Sequence, residues 1–240
     1  MRVSITPSSI PAGSIRTWCR RAAVRYMVRA IELPTMFGIL ERVKQVADGA
    51  ALMTQTKVTS QVVSAMSSLL GNTPLEKVMQ ANLQHLGPPP FDDEDRRFAQ
   101  AMQTTFTEED IASAYKRFGA ERNGEALCAE VVPAEAPRAQ MRGSTDVGDV
   151  SWVVPTVQAC GATFAIGTPP HSWQMVAQGK AGAAHKGMVH TAKAMAATAI
   201  DVLRDAKLLA EAKADFEART KAFAYHSPLP TDTKPPLAAN

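Results

Sequence analysis

Apolar residues recur along this chain with two different periods, and the switches between them mark the predicted elements. Val24, Tyr26 and Val28 alternate with Arg25 and Arg29, which predicts a strand over 24–31. From Thr35 to Leu52 the spacing becomes helical: Phe37, Leu40, Val43, Val46 and Ala47 form one face, and Glu41, Arg42 and Lys44 the wet one. Residues 57–65 alternate again and are β-branched, so a second strand is predicted there. Strand, helix and strand in this order form one α/β unit.

Further along, Asn72-Thr73-Pro74 predicts a helix start, with a polar cap before a proline whose missing N–H costs nothing in a first turn. That helix reaches Leu86 and stops at Gly87-Pro88-Pro89-Pro90. Another opens at Asp92, where Asp92, Asp93 and Glu94 suit the positive end of the dipole and Phe98 and Met102 are expected to point inward. Thr107-Glu108-Glu109-Asp110 caps a third, to Phe118. Residues 119–142 read as loop, with Val131-Val132 as a short strand. Residues 149–154 and 157–166 are almost continuously apolar, which predicts two strands of a central sheet covered on both faces. From Gln178 an Ala-rich helix runs through Leu209 toward Phe223, and the Pro-rich tail from Ser227 is expected to be disordered.

Composition narrows the class. The chain has 240 residues, 45% hydrophobic and 20% charged, which is globular. The net charge is only +3, and Lys and Arg are spread without interleaved aromatics, so no nucleic-acid partner is expected. No apolar run is long enough to span a membrane. Cys19, Cys128 and Cys160 are odd in number and far apart, as in a reduced, cytoplasmic protein. The first 31 residues contain no acid and six arginines. They suit either a transit peptide or unrelated sequence joined near Ala22.

Candidate chemistry concentrates between Gly143 and His190. His171 follows the stiff Gly167-Thr168-Pro169-Pro170 and precedes Ser172-Trp173, where an indole can wall a pocket. From the residues alone it reads either as a metal ligand or as a structural histidine. The Gly143-Ser144-Thr145-Asp146 loop offers N–H groups, hydroxyls and a carboxylate, and reads as an anion-holding loop or a plain turn. Cys160 reads as buried packing inside an apolar strand. His185 and His190 are five apart, which does not make a zinc-binding pair on one helix face. His85 sits in a last helical turn, and Glu108-Glu109 at a helix start, where each serves the helix dipole.

Together, GSTDVGDVSW, GTPPHSW, QGKAGAAHKGM and AMAATAIDVL, with GAALMTQTKV and LGPPPFDDEDRRFA upstream, resemble the dinuclear-zinc aminoacylase and carboxypeptidase-type amidohydrolases over residues 23–225. The resemblance implies an α/β fold: the C-terminal part of a three-layer catalytic domain, sheet between helices, plus the remainder of a small α+β lid or dimerisation domain. Residues 23–70 would be the lid remainder, 71–225 the catalytic part, 226–240 a flexible tail, and 1–22 unassigned. It implies hydrolysis of an amide in an N-acyl or N-aroyl amino acid, aminobenzoyl-glutamate among them. The chemistry would use two divalent ions, zinc or manganese, and a homo- or hetero-dimer. His171 matches the family's last metal ligand, and Gly143, Ser144, Thr145 and Asp146 match a loop near the substrate carboxylate. The family's other ligands and its catalytic glutamate pair have no counterpart here. The expectation is therefore a C-terminal portion, inactive alone, with a non-catalytic dimerisation or regulatory partner as the alternative.

Overall fold

A computed structural model describes residues 2–7, 22–137, 139, 145–221 and 223–233. These fall into two compact units. One holds strands β1 (Arg2–Pro7), β2 (Ala22–Arg25) and β3 (Thr56–Gln61) with helices α1 (Leu33–Thr54) and α5 (Val147–Ser151). The other holds α2 (Thr73–Leu86), α3 (Asp93–Gln103), α4 (Glu108–Phe118), α6 (Trp173–Gln178), α7 (Gly182–Arg204) and α8 (Ala206–Thr220).

In the first unit the sheet order is β2-β1-β3, antiparallel throughout. Val3 pairs with Val24 on one side and Ser60 on the other. The predicted strands therefore form, shortened, but they pair through a central strand from a stretch without clean periodicity. The first predicted strand ends at Arg25 rather than Ile31, because Pro34 sits in the first turn of α1 and the chain must turn to enter it. Helix α1 ends where Gln55 takes a left-handed conformation, φ 53°, whose N–H bonds back to the last turn. Phe37, Leu40, Val43 and Ala47 are partly covered and Ala51 is buried, while Val46, expected on that face, is exposed.

In the second unit α7 is the spine against which α2, α3 and α8 pack. Its buried positions, Ala183, Gly187, Ala194 and Thr198, are small, so neighbours approach closely. Asn72 caps α2 as predicted, accepting from the Leu75 N–H at 3.3 Å, and its amide donates to the Ala212 carbonyl of α8 at 2.8 Å. Asn82 of α2 donates to Asp201 of α7 at 2.7 Å. Phe91, Ala99, Met102, Leu127, Ala165 and Ala183 form one core cluster. Asp92 and Thr107 each complete a capping box, for α3 and α4. Met102 is buried as expected, but Phe98 is exposed.

The largest differences from the sequence pattern lie in the apolar segments before His171. Residues 147–151 form a short helix, not a strand, and 154–166 run without strand pairing among the described residues. An apolar, β-branched pattern specifies burial, but a strand also needs a neighbour to accept its backbone hydrogen bonds. Cys160, expected to be buried, is exposed on this segment. Val131-Val132 is not a strand. The long helix predicted from Gln178 begins only at Gly182, after α6 has ended, and is two helices, α7 and α8, broken at Asp205, which caps α8 through its carboxylate. No helix among the described residues is long and apolar enough to cross a membrane.

Two ion pairs from one lysine tie the start of α3 to α7. Lys186 donates to both Asp92 and Asp95 at 2.5 Å. The Lys186 ammonium and the Asp95 backbone N–H hold the Asp92 carboxyl at about 2 instead of its usual 3.8. A depressed acid stabilises above its unfolded pKa and loses that contribution as pH falls through its folded one. Acid titration should therefore lower the melting temperature between about pH 4 and 2, and Lys186→Met should flatten that limb. Asp92 is exposed, so added salt should weaken the effect. Asn72→Ala removes a cap and leaves the buried Leu75 N–H without a partner, and should cost about 1–3 kcal/mol in urea unfolding.

Candidate functional site

His171 stands on a turn whose two flanks are locked. Before it, Gly167 adopts φ +95°, and a Cβ there would press on Ile111, so the position admits only glycine. Thr168 is buried and its hydroxyl donates to the Ala165 carbonyl at 2.6 Å. Gln178, 3% exposed, holds this turn from the end of α6. Its side-chain oxygen accepts from the Ala165 N–H at 2.7 Å, and its amide donates to Thr168 at 2.9 Å and to the Gln174 carbonyl at 3.0 Å. After His171, Ser172 caps α6, accepting from the Met175 N–H at 3.3 Å and donating to the Pro169 carbonyl at 2.7 Å.

Between these anchors His171 adopts φ 59°, a left-handed conformation that costs a non-glycine residue on the order of 1 kcal/mol. Its side chain is exposed. Trp173 beside it is also exposed. Gln178 has no signal in the sequence beyond its place near a helix end, because burial of a polar side chain is decided by contacts distant in the chain.

The GSTDVGDVSW motif divides differently. Gly143 and Ser144 lie outside the described residues. Thr145 is half-buried: its hydroxyl accepts from the Val147 N–H at 3.3 Å and its carbonyl from the Gly148 N–H at 3.0 Å. Asp146 is exposed and makes no capping bond to α5. The rest of the motif is a clamp on the segment 67–70. Asp149 accepts from the Ser67 N–H and hydroxyl and from the Tyr225 hydroxyl at 2.7 Å. Ser151 accepts from the Leu70 N–H at 2.8 Å, and the Trp152 indole N–H donates to the Ser68 carbonyl at 2.8 Å while its ring stacks on Tyr225. Gly148 lies directly against the Ser67 carbonyl, with no room for a Cβ. Burial and the Asp149 carboxylate raise the Tyr225 hydroxyl above its ordinary pKa.

Thr145 and Asp146 belong to the sheet-bearing unit and His171 to the helical one. Among the described residues no three His, Cys, Asp or Glu side chains gather as a metal would need. His171 alone therefore does not fit a two-ion centre. Glu108 is occupied by an ion pair with Arg122 at 2.5 Å, which lowers its pKa, and Glu109 stands in the same first turn of α4. His85, His185 and His226 are exposed. His190 lies on α7 with a buried Nε2 that has no hydrogen-bond partner.

Comparison with known proteins decides the relationship. Over 226 residues the chain is 39% identical to a p-aminobenzoyl-glutamate hydrolase subunit of Escherichia coli (strain K12). The chain belongs to that protein's family. The match covers 90% of this chain and 47% of the relative, so the chain spans about half the length of the curated relative it matches, and that half is the C-terminal one. No family model matches the chain, and no solved structure does.

One substitution tests the geometry at the turn. His171→Gly relieves the left-handed residue and should leave stability in urea unchanged or raised by up to about 1 kcal/mol. A packed structural histidine would instead give a loss.

Proposed function

We propose that this chain is the C-terminal portion of an amidohydrolase that cleaves the amide of an N-acyl or N-aroyl amino acid, with p-aminobenzoyl-glutamate as the first substrate to test. The relationship to the E. coli protein supports the reaction class. The observation that carries the site assignment is His171, exposed, left-handed and framed by Gln178 and Ser172. On this reading His171 contributes one ligand to a divalent metal, zinc or manganese, and the remaining ligands come from polypeptide beyond the described residues. Such an ion would polarise an amide carbonyl or activate water when bound. Thr145 and Asp146 take the role of substrate contacts, as hydroxyl and carboxylate partners to polar groups of the amino-acid end. In the complete protein the helical unit belongs to a three-layer catalytic domain and the three-stranded sheet with α1 to a lid. The partner is a second protein chain, of the same or a different kind.

The absence of any three-ligand group among the described residues favours a second reading, a non-catalytic dimerisation or regulatory partner. Zinc content separates the two. A chain that keeps a site ligand should bind zinc weakly through His171, with affinity falling at least about tenfold in His171→Ala. Zinc binding unaltered by His171→Ala, or none with a stable dimer, would favour the partner role.

A further inference from the structure

Helix α6 has its polarity inverted. A surface helix normally turns its polar side chains outward. Here Gln178 is buried, while Trp173, Val176 and Ala177 are exposed. Residues three and four apart share a helix face, so these three form one apolar strip. Trp173 is 62% and Val176 79% exposed, although an indole is ordinarily well covered. Among the described residues the Trp173 ring has no hydrogen-bond partner and no ring contact. No side chain of α6 is charged.

The strip is both fixed and aimed. Ser172 caps α6, and Gln178 ties its far end to Ala165 and Thr168. Helical side chains lean toward the start of their helix, so Trp173, the first residue of α6, leans toward the turn that carries His171. At the other end, Ala177 lines a cavity of about 450 Å3, a size usual for small-molecule sites. Phe98, also exposed, lines the same cavity and adds a second ring. The charged lining of that cavity comes from α3, Lys180 and α7, not from α6.

We propose that Trp173, with Val176 and Ala177, is the subsite for the acyl side of the substrate and selects an aromatic acyl group over a small aliphatic one. The inference rests on the amidohydrolase reading, in which the scissile amide lies at His171, and adds to it the residue that sets acyl preference. With the amide there, the ring of an N-aroyl amino acid reaches the indole two residues on, where rings pack offset or edge to face. An acetyl group covers far less of the strip. The carboxylates of the amino-acid end are turned away from α6, which has no cation to receive them.

Two probes that differ in the acyl group, p-aminobenzoyl-glutamate and N-acetyl-glutamate, test this on the full 240-residue chain. Saturation transfer from protein to ligand protons is read by NMR. The aroyl compound should bind at millimolar concentrations with transfer greatest at its ring protons, and the acetyl compound should not. Trp173→Phe should keep the aroyl affinity within about twofold, and Trp173→Ala should weaken it at least about fivefold. The urea midpoint should stay as it was, because the ring is exposed. Equal binding of the two compounds, or aroyl binding unmoved by Trp173→Ala, would overturn the proposal. Hydrolysis by a mixture with the unmatched part of the E. coli relative separates this failure from failure of the underlying reading. The ratio of kcat/KM for the aroyl over the acetyl compound should fall at least about fivefold in Trp173→Ala. Cleavage of both compounds at an unmoved ratio would remove the subsite alone. Cleavage of neither would remove the hydrolase reading and, with it, the ring as substrate.

Discussion

Close approach to helix α7 is the constraint on which the helical unit depends. Ala183, Gly187 and Ala194 leave its covered faces nearly bare, so the helix is held by what comes near it. Asn72 and Asn82 bring polar pairing to the same assembly, through the Ala212 carbonyl of α8 and Asp201 of α7. The extended segment with Gly161 can lie against α7 only because Gly187 is there to receive it. From that segment the chain passes through Ala165, buried and bonded to Gln178, into the turn that presents His171. Spine, segment and turn form one mechanical sequence, and the exposed imidazole is at its end.

In the sheet-bearing unit the corresponding element is Asp149. One carboxylate collects Ser67 twice and Tyr225 once, and Gly148, Ser151 and Trp152 complete the grip on residues 67–70. Most of the GSTDVGDVSW motif is thereby spent on joining two distant stretches of chain. At its described beginning Thr145 is half-buried and Asp146 exposed, and neither takes part in that grip. From Gly148 to Trp152 the motif is a clamp rather than a binding loop.

Helix starts are the most legible feature of the sequence. Asn72, Asp92 and Thr107 cap as their sequences require, because a cap is a bond between residues three apart and needs no distant partner. Strands are less legible. The pattern over 157–166 specifies a strand, but pairing depends on a neighbour that no described residue supplies. Strand β1 escapes a pattern search because it is only six residues long and ends at a proline. At the site, His171 stands out by its Pro-Pro approach, whereas Gln178 and the buried Nε2 of His190 are defined by contacts that spacing cannot encode.

On the proposed reading, the His171 imidazole serves amide hydrolysis only together with ligands from outside this chain. The direct measurement is release of p-aminobenzoate from p-aminobenzoyl-glutamate by this chain alone, by this chain mixed with the unmatched half of the E. coli relative, and by the same mixture carrying His171→Ala. The account predicts no release by the chain alone, release by the mixture, and at least a hundredfold loss with His171→Ala, about 2.7 kcal/mol in transition-state stabilisation. Release by the chain alone, or by the His171→Ala mixture at an undiminished rate, would contradict it.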